Sequence, residues 1–169
     1  MKRICLLSDT HGYVDDRLLD HVKQADEAWH AGDFGDGVSD RIASIRPLRG
    51  VYGNIDGYRI RSEFPEHITF TIDGLVILMI HIAGPFGSYN PAVRDLIGKI
   101  KPGLLVCGHS HLLKVQFDSK NRLLYMNPGA AGKHGFHKVR TLLRFTIDSG
   151  RVSDLEAVEL GLRGAIPSE

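Results

Sequence analysis

Alternating strand-like and helical stretches, followed by a series of hairpin signals, predict an α/β protein built from two packed β-sheets with helices outside them. Three observations carry that prediction. In the first third of the chain, short apolar runs alternate with helical patterns, as parallel strands with crossover connections require. From residue 67 onward, apolar or β-branched runs come in pairs around tight-turn sequences. Several runs are apolar throughout, so they need cover on both faces.

Residues 3–8 read as a fully buried strand ending in a polar loop. Residues 15–25 read as a helix, with Leu18, Leu19 and Val22 on one face and Asp15 or Asp16 as its cap. Residues 27–31 form a second strand stopped at Gly32. Residues 38–45 form a short helix, and Pro47, which has no N–H to give, ends it. Residues 48–52 form a third strand. Residues 67–72 and 75–80 flank Asp73-Gly74, a strong hairpin signal because both positions tolerate positive φ. Residues 91–100 read as a helix capped by Asn90, with Pro91 at its first position. Residues 104–107 are another buried strand. Residues 112–117 and 122–126 make a second hairpin around 119–121. Residues 142–147 and 151–158 make a third around Ser149-Gly150. About three helices are expected. Residues 161–169 are expected as a loose tail, leaving 1–160 as a single domain.

A chain of 169 residues with 43% apolar and 24% charged residues has an ordinary globular composition, which argues against disorder. The net charge of +1 points to no polybasic surface for nucleic acid or anionic lipid. Cys5 and Cys107 lie in apolar runs and read as reduced core residues, which suits the cytoplasm. The apolar runs at residues 4–7 and 75–82 are too short for a signal h-region or a membrane span. A cytoplasmic location without membrane contact is expected, and a homo-oligomer is left open. No internal repeat, low-complexity tract or linker is present. Glycine and histidine stand out, with 19 and 9 copies.

The chemistry lies in polar clusters, each just after a strand-like run: Asp9-Thr10-His11-Gly12, Gly32-Asp33, Gly53-Asn54-Ile55-Asp56, His81, and Gly108-His109-Ser110-His111. Loops at the carboxyl ends of neighbouring parallel strands converge on one crevice. Asp9, His11, Asp33, Asn54, His81, His109 and His111 are therefore expected together. Each spacing alone has a plainer reading, as a turn, a loop or a core histidine. A solvated-loop explanation would have to hold independently for every cluster. On an extended segment, residues two apart point the same way, so His109 and His111 can serve one site. Two carboxylates, one amide and four imidazoles, with no thiolate, suit Mn²⁺, Fe or Zn²⁺. That donor set exceeds one ion and suits two sharing a carboxylate, about 3.5–4 Å apart, the arrangement for in-line displacement at phosphorus.

The order of these motifs resembles the calcineurin-like metallophosphoesterases. The chain's size and the run Asn127-Pro128-Gly129 are similar to the small bacterial and archaeal phosphodiesterase branch. The resemblance spans about residues 3–150. It implies a four-layer α-β-β-α sandwich of two mixed β-sheets with a dimetal site at one rim. By resemblance Asp9, His11 and His111 hold one ion, Asn54, His81 and His109 the other, and Asp33 bridges them. Two divalent transition ions per chain are implied, with Mn first and Fe or Zn as alternatives. A metal-bound hydroxide is the implied nucleophile, with no catalytic side chain beyond it, and a small phosphate ester the substrate.

Two departures stand out. Ile55 occupies the place where many larger relatives have a histidine that serves the leaving group, and an isoleucine donates no proton. Ile82-Ala83 separates His81 from Gly84, so a small shift of that loop is expected. His30 and Asp56 are candidates to brace the site. Lys133, His134 and His137 are candidates for substrate phosphate, and Phe86 and Tyr89 for a substrate wall. Trp29 reads as core. Two other functions compete: a non-catalytic scaffold on the same fold, as in a retromer subunit that resembles this family, and a metal-dependent nuclease. The complete ligand set counts against the first, and the flat charge balance against the second.

Overall fold

The computed structural model describes residues 1–164. Its elements run β1 (Lys2–Leu7), α1 (Asp16–Lys23), β2 (Glu27–His30), α2 (Val38–Ala43), β3 (Leu48–Gly50), α3 (Tyr58–Glu63), β4 (His67–Ile72), β5 (Leu75–Ile80), α4 (Pro91–Ile100), β6 (Leu104–Val106), β7 (Leu113–Asp118), β8 (Leu123–Pro128), β9 (Val139–Asp148) and β10 (Arg151–Leu162). One sheet has the order β10-β9-β1-β2-β3 and the other β4-β5-β6-β8-β7. Within the first, β1, β2 and β3 are parallel, as the alternation predicts. Within the second, β5, β6 and β8 are parallel, and β4 and β7 close the edges as antiparallel hairpin partners.

Strand alternation builds the layers. In β1, Cys5 and Leu7 face the helices while Ile4 and Leu6 face the other sheet. The first set packs with Leu18, Leu19 and Val22 of α1 and with Val38 and Ile42 of α2. The second meets Ile77 and Met79 of β5, Leu104 and Val106 of β6, and Met126 of β8. The far face of the second sheet, with Leu78, Leu105 and Tyr125, is covered by Val93 and Ile97 of α4. The result is a four-layer α-β-β-α sandwich of two mixed sheets. Each fully buried Leu or Ile in it contributes about 1.5–3 kcal/mol. Trp29 sits between the sheets, edge-on to Phe70 and Phe145, with its indole N–H donating to Glu27.

Caps and turns follow local chemistry. Asp15 caps α1 through the Leu18 N–H, and Asn90 caps α4 through the Val93 N–H. Asp73-Gly74 and Ser149-Gly150 have positive φ at both positions, so the hairpins are closed by turns that match strand twist. The helix α3 is a correction to the expected three helices. Its stretch YRIRSE buries only Ile60, and Gly57 offers no capping side chain, so it carries no periodic signal. The last strand enters the expected tail: Gly161 pairs with Arg140 and Leu162 with Val139. Residues 165–169 of that stretch lie outside the described residues. Among the described residues, no helix is long and apolar enough to cross a membrane.

Candidate metal centre

Parallel pairing sends the carboxyl ends of β1, β2 and β3 to one edge of the first sheet, and those of β5, β6 and β8 to one edge of the second. The loops that follow are stitched together. The Asp9 N–H donates to the Gly32 carbonyl at 3.0 Å, and the His11 N–H to the Asp33 carbonyl at 3.1 Å. The Gly108 N–H donates to the His81 carbonyl at 3.0 Å. The His109 N–H crosses between the sheets to the Asp9 carboxylate, also at 3.0 Å. One rim therefore gathers all seven sequence-identified donors.

Backbone strain concentrates there. Asp9, His11, Asp33, His109 and His111 all have φ between 45° and 71°, a region unfavourable for residues with a Cβ. The cost is met by the rim hydrogen bonds, and the gain is a set of side chains turned inward. Gly53 serves the same geometry by absence: a Cβ there would overlap the Asp33 carboxylate and its backbone N–H.

The donors form two groups, each with ligand atoms within 4.8 Å of one another: Asp9, His11 and His111, and Asp33, His81 and His109. Asp9 Oδ1 lies 3.2 Å from His111 Nε2. Asp33 Oδ2 lies 3.5 Å from His11 Nε2 and 3.3 Å from His81 Nε2, so it stands between the groups. Asn54 Oδ1 lies 3.0 Å from both His81 Nε2 and His109 Nδ1. The remaining carboxylate oxygens are already held. Asp9 Oδ2 accepts from Ser8 Oγ and the His109 N–H, and Asp33 Oδ1 accepts from the Ile55 N–H. Asp9 Oδ1 and His11 Nε2 are buried without a hydrogen-bond partner. Such atoms are costly unless something binds them, and an oxygen and a nitrogen lone pair side by side fit a divalent cation.

The ionisation of these donors is set by burial and by one another. Burial opposes ionisation of Asp9, yet His111, His81 and Ser8 together lower its pKa. Burial likewise opposes ionisation of Asp33, outweighed by its hydrogen bond to His81, the His81 charge and the Ile55 N–H. Burial drives the His11 pKa down. For His81, burial is outweighed by Asp33 and Asp9, and its pKa rises. Its Nδ1–H donates to the Ala31 carbonyl at 2.7 Å, which leaves Nε2 as the ring nitrogen that faces the carboxylates.

The remaining candidates divide by what they touch. His30 is fully buried, stacked on Phe34, and holds two loops: Nδ1 accepts from the Gly32 N–H and Nε2 faces Thr10 Oγ at 2.9 Å. Asp56 ties the β2 and β3 loops, accepting from the Phe34, Gly35 and Gly53 N–H groups. His134 and His137 reach the groove: His134 packs on His11 at 4.7 Å between ring centroids, and His137 on His111 at 5.2 Å. His137 Nε2–H donates to the Gly132 carbonyl at 2.8 Å. Lys133 instead lies over the Tyr13 ring. Phe86 lines a neighbouring cavity, but Tyr89 is a correction: it is buried against α4 and its hydroxyl donates to Asp118. Ser8, Thr10 and Asn127 escaped sequence reasoning. Asn127 Nδ2 donates to the Gly108 carbonyl and Ser110 Oγ, and the notable Asn-Pro-Gly run was its only signal. A cavity of about 350 Å³ opens over the donors, with Ile55, Leu112 and Phe136 on its walls.

The calcineurin-like phosphoesterase superfamily domain matches residues 1–150. The chain belongs to that superfamily. It is thereby a phosphoesterase-type hydrolase of a metal-binding class. A probable metallophosphoesterase of Mycoplasma pneumoniae is 28% identical over 162 residues, covering 92% of this chain and 96% of the relative. An archaeal phosphodiesterase structure superposes with a TM-score of 0.68 at 19% identity, covering 94% of this chain and 99% of that one. Wild-type Vps29 of Entamoeba histolytica, complexed with Zn²⁺, superposes with a TM-score of 0.70 at 16% identity, covering 93% and 98%. At these identities the two structures speak for the shared fold.

Proposed function

We propose that this calcineurin-like phosphoesterase is a dinuclear metal-dependent phosphodiesterase acting on a small phosphate diester. The observation that carries the reading is Asp33 Oδ2, which belongs to one donor group with His81, 3.3 Å away, and also lies 3.5 Å from His11 of the other. In this reading Asp9, His11 and His111 hold one ion, Asn54, His81 and His109 the other, and Asp33 both. Such a pair, when bound, supplies an activated water and positive charge for the phosphoryl oxygens. The mixed oxygen and nitrogen set suits Mn²⁺, Fe or Zn²⁺, of which Mn²⁺ is proposed first.

The chain's own residues then position and shield. Ser8 and the His109 N–H fix the Asp9 carboxylate, and the Ile55 N–H fixes Asp33. Ala31 sets the His81 tautomer. Ile55 offers no proton to a departing alcohol, so a diester with a good leaving group suits the site. The two free, buried cysteines suit the reducing cytoplasm we assign to it.

A panel of phosphomonoesters and phosphodiesters, each assayed after reconstitution with Mn²⁺, Fe²⁺ or Zn²⁺, tests the reading. Hydrolysis of bis-p-nitrophenyl phosphate with Mn²⁺ is expected. If no ester were cleaved with any metal and the protein retained no metal, the scaffold role would replace this proposal.

A further inference from the structure

A second cavity of about 330 Å³ adjoins the metal groove and shares His109, Ser110 and Leu112 with it. Its walls differ from the groove's. Phe86 and Tyr125 meet edge to face at 5.3 Å between centroids, and Ile82 and Leu112 stand at the mouth, 39% and 68% exposed. Lys114 Nζ lies 4.7 Å from the Phe86 ring centroid and puts one positive charge at the edge. Ile82 and Leu112 give the cavity an apolar rim beside the polar centre. The two cavities adjoin at His109, Ser110 and Leu112, so the second is within reach of a substituent on a phosphate seated over the donors. The volume lies within the range of small-molecule pockets.

We infer that this cavity binds one ester arm of the substrate, and that the arm is a planar aromatic or heteroaromatic ring. The inference rests on the phosphodiesterase reading above and names its substrate class. Flat rings pack against aromatic edges and faces with directional preference, which a branched alkyl arm does not match. Ile82 and Leu112 clamp the ring from the mouth, and Lys114 favours an arm or phosphate that carries negative charge.

The test compares phenylphosphonate with methylphosphonate, which carry one arm and no leaving group. Their binding to the Mn²⁺-reconstituted protein is measured by calorimetry, beside hydrolysis of bis-p-nitrophenyl phosphate. Phenylphosphonate is expected to bind at least about tenfold more tightly, the scale of a filled apolar pocket. The substitutions L112S and Phe86→Leu should each drive that ratio toward one. A variant that had merely lost structure would weaken both ligands and leave the ratio standing. A wild-type ratio near one, with the diester still cleaved, would overturn the aromatic subsite and leave the phosphodiesterase reading intact. Absence of phosphonate binding and of diester cleavage would overturn both.

Discussion

His30 makes the site's scaffold sensitive to acid, and the size of the effect can be worked from its surroundings. Its Nδ1 accepts the Gly32 N–H, so a proton on Nδ1 would face another donor. Thr10 Oγ already donates to the Phe34 carbonyl, so it serves His30 as acceptor, and the neutral ring satisfies every partner. Complete burial pushes its pKa from 6.5 to about 3. The unfolded chain therefore binds more protons between those values. Stability from the neutral ring is whole above about pH 6.5 and is lost as pH falls toward 3. At 1.36 kcal/mol per pH unit the full loss is about 5 kcal/mol, of which about 2 kcal/mol is gone by pH 5. Urea unfolding of chelator-treated protein at pH 7.5 and pH 5 measures it without interference from bound metal. His30→Gln should cost about 1–3 kcal/mol at pH 7.5, from a lost hydrogen bond and lost stacking on Phe34. It should then lose about 2 kcal/mol less than wild type on going to pH 5. His11, His21 and His137, whose pKa values are lowered by burial, and His81, whose pKa is raised, titrate in both proteins, so the difference reports His30 together with its charge coupling to His81 and His11. Equal acid losses in the two proteins would refute the neutral, clamped state of His30.

Elemental analysis after Mn²⁺ reconstitution should find about two ions per chain, as a donor set of this size implies. Asp33→Asn should lower both, whereas Asn54→Ala should remove mainly one; identical losses would remove Asp33 from its bridging place. Gly53→Ala should abolish metal retention while the circular dichroism spectrum stays folded, because the added Cβ displaces the Asp33 carboxylate. Normal metal content in that variant would show that the loop adapts. Hydrolysis rates across diesters of rising leaving-group pKa should fall steeply, since Ile55 compensates no charge on the departing oxygen. A flat series with chemistry limiting in single turnovers would mean that His134 or His137, both at the groove, supplies the proton.

Much of the architecture was written locally. The hairpin at Asp73-Gly74, the Asn90 cap and the Leu18, Leu19 and Val22 face depend on neighbours a few residues away, so periodicity and turn chemistry report them directly. The seven donors were legible for a related reason. Each stands just past a strand, and parallel pairing makes strand ends converge whatever the loop's detail. The helix α3 was hidden because one buried residue makes no period.

Other features exist only between segments distant in the chain, and no local pattern encodes them. The left-handed backbone at Asp9, His11, Asp33, His109 and His111 is sustained by hydrogen bonds across the rim, such as His109 to Asp9. Sequence could name His30 and Asp56 as candidates, but whether they ligate, brace or merely fill was decided by where Thr10, Gly32 and Gly53 came to rest. Sequence could name His134 and His137 only as candidates for substrate phosphate, and the fold of the chain beyond Pro128 packs them against His11 and His111. The residue types and their order thus set which atoms are available for chemistry. Only the stacking of two sheets settled which lone pairs are left without partners, because that depends on every neighbour a buried group finds.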